Sequence, residues 1–237
     1  MKLALILACA AYAQQDPSTN STPPPTDQKA VFDRAVRMYD SKSYRTALTA
    51  FQEAANAGNV EAMVYLGVMY SAGQGTPVQY GEAMTWFRKA AIAGDRQAMV
   101  NLGILYYEGL GVAHLYDQAM RWFREAANGG NDQGMFNVGV LYRDGLGVPV
   151  DYQEAMTWFA RAAAFQNEKA MNAVGSLYQN GQGVATDYVE AAKWYRNAAA
   201  LGSRPAMFNL GSLYQKGLGV PPDPEEARKW LSLASGN

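Results

Sequence analysis

The 237-residue chain has a single cysteine, Cys9, and a single histidine, His114. One cysteine excludes a disulfide framework within the chain, and one histidine leaves no Cys/His cluster for a structural metal. Charge of one sign is also missing: 20 Lys+Arg stand against 21 Asp+Glu, a net charge of −1. With no basic stripe or polybasic block, the sequence carries no electrostatic footprint for nucleic acid. Long apolar runs are lacking too. The run Leu3 to Ala11 is nine residues, far too short to span a bilayer as a helix.

The N-terminus nevertheless has the pattern of an export signal. Lys2 supplies a minimal positive region, Leu3 to Ala11 the apolar stretch, and Ala11-Tyr12-Ala13 the small-x-small cleavage pattern. Residues 1–13 are therefore expected to be removed, leaving Gln14 first and the protein periplasmic or secreted. Ile6-Leu7-Ala8-Cys9 also resembles a bacterial lipid-attachment box, which would make Cys9 lipid-bearing and the protein an outer-membrane lipoprotein. Membrane association is expected only in that second case. Residues 14–29 are polar and proline-rich without periodicity, the composition of a disordered linker.

Beyond the linker one period governs the chain. Trp86, Trp122, Trp158, Trp194 and Trp230 are all the tryptophans, and they stand 36 residues apart. Tyr70, Tyr106, Tyr142, Tyr178 and Tyr214 keep the same period, as do Gly67, Gly103, Gly139, Gly175 and Gly211. A Gly-x-Gly pair recurs in phase from Gly73/Gly75 to Gly217/Gly219. Such self-similarity marks a stack of one repeated supersecondary unit.

Within a unit the spacing is helical. Ala98, Leu102, Leu105 and Tyr106 give a first helix one apolar face. Gly103 lies inside that helix, where glycine costs about 1 kcal/mol, so a partner helix is expected to press on it. Gly109-Leu110-Gly111 ends the helix by accepting left-handed backbone. Ala119, Trp122, Phe123, Ala126 and Ala127 form the stripe of a second helix, closed by Gly130. Asp151/Glu154, Asp187/Glu190 and Asp223/Glu226 have capping-box spacing, and Pro224 falls at a first helical position. Recurrence at each helix start makes these pairs caps rather than catalytic carboxylates.

A lone hairpin cannot bury both stripes, so neighbours must stack. The expected fold is all-α: a right-handed α-solenoid superhelix over residues 30–237, with one divergent hairpin and five repeats of 36 residues. The divergent hairpin holds Phe32, Tyr39, Tyr44, Phe51 and Gly58, with a turn that reads five residues shorter than the others. Phe, Tyr and Trp at fixed phase are expected to be buried between hairpins.

Residues Ala170 to Gly202 carry Ala-x3-Leu-Gly as Ala170-x3-Val174-Gly175, then Tyr178, Gly181-x-Gly183-Val184, Asp187-Tyr188, Ala191, Trp194, Ala198-Ala199 and Gly202. This pattern closely resembles the Sel-one-like repeat, a relative of the tetratricopeptide repeat, and the first hairpin is more similar to a true tetratricopeptide unit. The resemblance implies a scaffold or adaptor, exported bacterial members being linked to envelope assembly, signalling or host contact. Departures occur at Gln166 for the helix-ending glycine, Gly134 for alanine, and His114-Leu115 before a second helix. The cysteine-rich branch of the family does not fit, since no repeat contains cysteine.

No catalytic constellation emerges. His114 falls in an inter-helix loop, no serine is followed three residues later by lysine, and the Gly-x-Gly pairs end helices instead of opening one after a strand. No cofactor or metal motif is present. A cell-wall hydrolase or carbohydrate-binding protein would need acidic or aromatic clusters outside the repeat phase. The sequence favours a non-enzymatic scaffold that binds a protein or peptide.

Kinship with the tetratricopeptide repeat implies a concave groove lined by first helices. Projection from the Leu-Gly pair places Val100, Ile104, Tyr107, Phe136, Asn137, Val140, Arg143, Asn172, Gln179 and Phe208 there. The middle of the groove is expected to be an exposed apolar stripe with amides beside it, suited to an extended peptide or a helix.

Overall fold

Capping residues cut the chain into helices of nearly constant length. The computed structural model describes residues 28–236, and among them all regular structure is α-helical. The expected signal (1–13) and all but the end of the expected linker lie outside the described residues. Six hairpins follow: α1 (Gln28–Asp40) and α2 (Tyr44–Asn56), α3 (Val60–Ala72) and α4 (Tyr80–Ile92), α5 (Arg96–Glu108) and α6 (Tyr116–Asn128). They continue as α7 (Asp132–Asp144) and α8 (Tyr152–Ala164), α9 (Glu168–Asn180) and α10 (Tyr188–Ala200), α11 (Arg204–Lys216) and α12 (Pro224–Ser235). The array thus opens at Gln28, two residues before the expected start. The first connection is Ser41–Ser43 where later hairpins have a stretch such as 73–79, so its turn is four residues shorter rather than five.

Contacts divide the chain into two compact units, one ending at Trp122 and one beginning at Phe123. In the first, α2 packs on α3 and α4 on α5; in the second, α8 packs on α9 and α10 on α11. Within each unit, hairpin covers hairpin, the stacking that a solenoid requires.

The expected caps are made, though only by half. Backbone N–H groups of Gln153 and Glu154 donate to Asp151, that of Glu190 to Asp187, and those of Glu225 and Glu226 to Asp223. The glutamates do not return the bond. Glu190 takes Lys193, and Glu226 takes Lys229 and the Trp230 indole N–H. First helices have their own caps: Asn59, Asp95, Asn131 and Asn167 accept from the N–H three residues on. At the other end Gly73 closes α3 in the left-handed region at φ 68, as the equivalent glycines close later first helices.

Phe51, Phe87, Phe123, Phe159 and Tyr195 occupy one register and are fully buried. Their rings press onto the glycine inside the first helix. A Cβ on Gly67 would lie 2.5 Å from the Phe87 ring, one on Gly139 2.6 Å from Phe159, and one on Gly175 2.7 Å from Tyr195. The tryptophans are a correction to the expected core. Trp86 is buried, but Trp122, Trp158, Trp194 and Trp230 are only partly so. They sit at the rim, where Lys89 covers Trp86 at 4.0 Å and Arg161 covers Trp158 at 4.2 Å.

Both departures from the glycine and alanine pattern have local consequences. Gln166 adopts φ 62 where Gly58, Gly94, Gly130 and Gly202 have φ near 90, so a residue with a Cβ is held in left-handed backbone. At Gly134 a Cβ would lie 2.9 Å from the Ala126 Cβ and 3.0 Å from the Phe123 carbonyl oxygen. The closer approach of α7 to the end of α6 excludes the usual alanine.

Core and rim should separate in stability measurements. Phe159→Ala is expected to lose about 3–5 kcal/mol in chemical denaturation, as a large truncation in a closed site. Trp158→Ala should lose distinctly less, because its ring is already partly in water. Equal losses would contradict this division.

Candidate functional site

Half of the residues expected to line the groove are not at a surface. Val100 and Ile104 on α5 and Phe136, Asn137 and Val140 on α7 are all buried. In the second unit the reason is visible: Phe136 lies 5.6 Å from Phe159 and joins Val140, Ala173, Val174 and Leu177 in one core. Packing between hairpins claims these side chains, so the expected exposed apolar stripe is absent at these positions. Asn137 is fully enclosed, with its Oδ1 accepting from Gln133 Nε2 at 3.2 Å. Asn101 repeats the arrangement with Gln97.

Tyr107 and Arg143 are half-buried and engaged by neighbours in sequence. The Tyr107 ring meets Tyr116 edge-on at 5.7 Å, and its carbonyl accepts from His114 Nδ1 at 2.7 Å. Arg143 holds Asp144 with two bonds, Nε to Oδ1 at 2.6 Å and Nη2 to Oδ2 at 2.8 Å. Its fork is already occupied by a carboxylate.

Asn172, Gln179 and Phe208 remain, and all three belong to the second unit. Asn172 and Gln179 lie on α9 with Ser176 between them, and Phe208 lies on α11 beside Asn209. The two helix faces meet where Asn209 Nδ2 donates to Asn172 Oδ1 at 3.0 Å. Behind them, on α10, the buried Tyr195 hydroxyl donates to Gln179 Oε1 at 3.0 Å. Ser176 accepts from Asn180 Nδ2 at 3.3 Å. Phe208 is 57% exposed, whereas Phe136, two repeats earlier in the same register, is 4% exposed. The face is uncharged, half-polar, and carries one large exposed ring.

Two features of this region were not singled out in the sequence. Tyr195 is readable there as the one hydroxylated residue in a register held by phenylalanine in the four preceding hairpins and by leucine in the last. The phenols of Tyr106, Tyr142 and Tyr214, expected as plain core, are each bonded by an arginine of the preceding second helix: Arg88, Arg124 and Arg196. They join hairpin to hairpin at the rim. Among the described residues, no group of three His, Cys, Asp or Glu is placed to hold a metal ion. None of the described helices is long and apolar enough to cross a membrane.

A family model described as Sel1 repeat matches residues 60–95, 96–131, 132–164, 168–203 and 204–236. A solved Sel1 repeat protein from Oxalobacter formigenes is 35% identical, with a TM-score of 0.81 over 87% of this chain and 84% of that one. A protective antigen of uropathogenic Escherichia coli with an SLR fold is 34% identical, also at TM-score 0.81, over 89% of this chain. The match spans 46% of the antigen's own length. An immunity protein from Pseudomonas aeruginosa shares the fold at 18% identity, with a TM-score of 0.58 over 91% of this chain and 83% of that one. No curated protein sequence matches the chain.

Burial pushes the Tyr195 phenol up from 10 to about 12, against a smaller opposing effect of the neighbouring Ser176 hydroxyl. A proton held more tightly when folded stabilises the protein fully below the unfolded value and loses that contribution as pH rises through the folded one. Stability should therefore fall between about pH 10 and 12. Alkaline melts of Tyr195→Phe are expected to lack this component of the fall.

Proposed function

The chain belongs to the Sel1 repeat family, whose members are generally protein-interaction scaffolds, and from that premise we propose that it is a non-enzymatic scaffold holding a protein or peptide partner on the α9–α11 face. The observation that carries the reading is Phe208, a large ring left in solvent beside amides whose orientation is fixed from within the protein. An exposed apolar group rimmed by hydrogen-bonding side chains has the composition of an interface. A sugar-stacking platform has less support, because cations already cover the faces of Trp86 and Trp158.

In this reading the scaffold works outside the bacterial cytoplasm, in the envelope or medium. Lys2, the apolar run to Ala11 and Ala13 support export with cleavage; Ile6 to Cys9 supports the lipoprotein variant. Mass spectrometry of the protein purified from its natural host separates them. A chain beginning at Gln14 is expected on cleavage, and one beginning at Cys9 with added acyl mass on lipidation. Full-length chain in the cytoplasm would overturn export.

The scaffold reading is tested with the full chain as bait in envelope extract, followed by affinity measurements on the captured partner. Asn172→Ala, Gln179→Ala and Phe208→Ala combined should weaken binding by roughly 30-fold or more, the scale of one interface hot spot. Circular dichroism should show the fold unchanged. A triple variant with full affinity would remove this face from the function.

A further inference from the structure

The phenylalanine register gains a polar atom once, at Tyr195. Phe51, Phe87, Phe123 and Phe159 fill the same place in other repeats and are equally buried, so packing there needs no hydroxyl. A phenol enclosed this way is unfavourable unless its oxygen is bonded. Here the oxygen is bonded, and the residue it donates to, Gln179, differs from its counterparts in the preceding repeats. The register of Gln179 holds Ser71, Tyr107 and Arg143 in earlier repeats. In the following repeat Gln215 has Leu231 behind its hairpin in place of a phenol, and Gln215 is exposed. A phenol and a glutamine therefore stand together in these two registers only at Tyr195 and Gln179.

The direction of the hydrogen bonds decides what the face offers. The phenol of Tyr195 donates to Gln179 Oε1, and Asn180 beside it donates to Ser176. With its carbonyl oxygen engaged inward, Gln179 presents the N–H groups of Nε2 outward. The Asn209 to Asn172 bond sorts the neighbouring amides in the same manner, leaving Asn172 Nδ2 as a donor and Asn209 Oδ1 as an acceptor. Resting on the scaffold reading, we propose that this face binds an extended peptide through its main-chain carbonyls, with Tyr195 as the residue that positions Gln179 to donate and Phe208 receiving an apolar side chain. An extended main chain carries unpaired carbonyls along its length, whereas a helix has already spent its own. Asn172 and Gln179 are seven positions apart, about 10 Å along a helix at 1.5 Å per residue, and three residues of extended chain cover about the same distance. One short segment can reach both donors. Because the amides are already oriented, less rotamer freedom is lost on binding.

The probe is a displayed library of random 12-residue peptides selected on the full chain. Selected peptides should bind Tyr195→Phe roughly 3- to 10-fold more weakly than the unaltered protein, the scale of losing one pre-oriented side chain. Binding should weaken further with Gln179→Ala and Phe208→Ala. Tyr195→Phe should melt no lower than the parent at neutral pH, since phenylalanine is what the four preceding hairpins carry, so the weakening cannot be read as unfolding. In an alanine scan the selected peptides should show one apolar anchor and little dependence elsewhere, as main-chain recognition requires. Peptides bound equally by Tyr195→Phe and the parent would overturn the positioning role. Selected peptides that bind only as helices, or no selected peptide at all while a folded partner docks on Phe208, would overturn the extended occupant and leave the scaffold reading standing. Selection failing together with unchanged partner binding by the triple variant would overturn both.

Discussion

A ring pressed into a helix glycine sets the geometry of every hairpin that shows the contact. Gly139 lies so close to Phe159 that an added Cβ would sit 2.6 Å from the ring, and Gly67 and Gly175 repeat the contact. Glycine inside a helix costs about 1 kcal/mol against alanine, while enclosing a phenylalanine side chain returns about 1.5–3 kcal/mol. The exchange is favourable only if the ring fills the space that the missing methyl leaves. It brings the second helix onto the first at that point. The caps then fix where each helix starts and stops relative to it. Even in α12, where leucine replaces the ring, a Cβ on Gly211 would meet Leu231 at 2.9 Å.

That dependence explains how much could be read beforehand. Period, helix count per unit, the glycine closing each first helix and the aspartate opening each second helix all answer to backbone constraints within a few residues. The sequence states them directly. Burial does not work that way. Trp158 and Phe159 are neighbours on the same apolar stripe, and periodicity cannot say which ring points deeper; the position facing Gly139 is the buried one. The glutamates of the capping boxes have correct spacing, yet Glu190 and Glu226 find lysines one turn on and leave the box half made.

The binding face was legible in part for the same reason. Spacing identified the register of Val100, Phe136, Asn172 and Phe208 correctly as one position of the repeat. It could not show that Phe136 is closed over by α8 and α9 while Phe208 stays open, because that depends on what the adjoining hairpin supplies. Tyr195 was hidden by its conservative appearance. One oxygen added to a core phenylalanine leaves the apolar pattern intact while changing what the helix in front of it can donate.

A fold held by glycine, ring and cap leaves the remaining first-helix positions to chemistry, but only under a condition that the second unit makes explicit. Asn137 and Asn209 share a register. Asn209 finds Asn172 and is satisfied; Asn137 is enclosed, and its Nδ2 has no acceptor. An enclosed, unbonded amide N–H costs about 1–3 kcal/mol, so polarity at this register is tolerated cheaply only where the next helix supplies a partner. On α9 and α11 that requirement is met by amides bonding one another, and meeting it has a by-product. Each internal bond consumes one end of an amide and commits the other to the surface. The bonds that make a polar face compatible with helix packing are the same bonds that fix which atoms it shows to a partner.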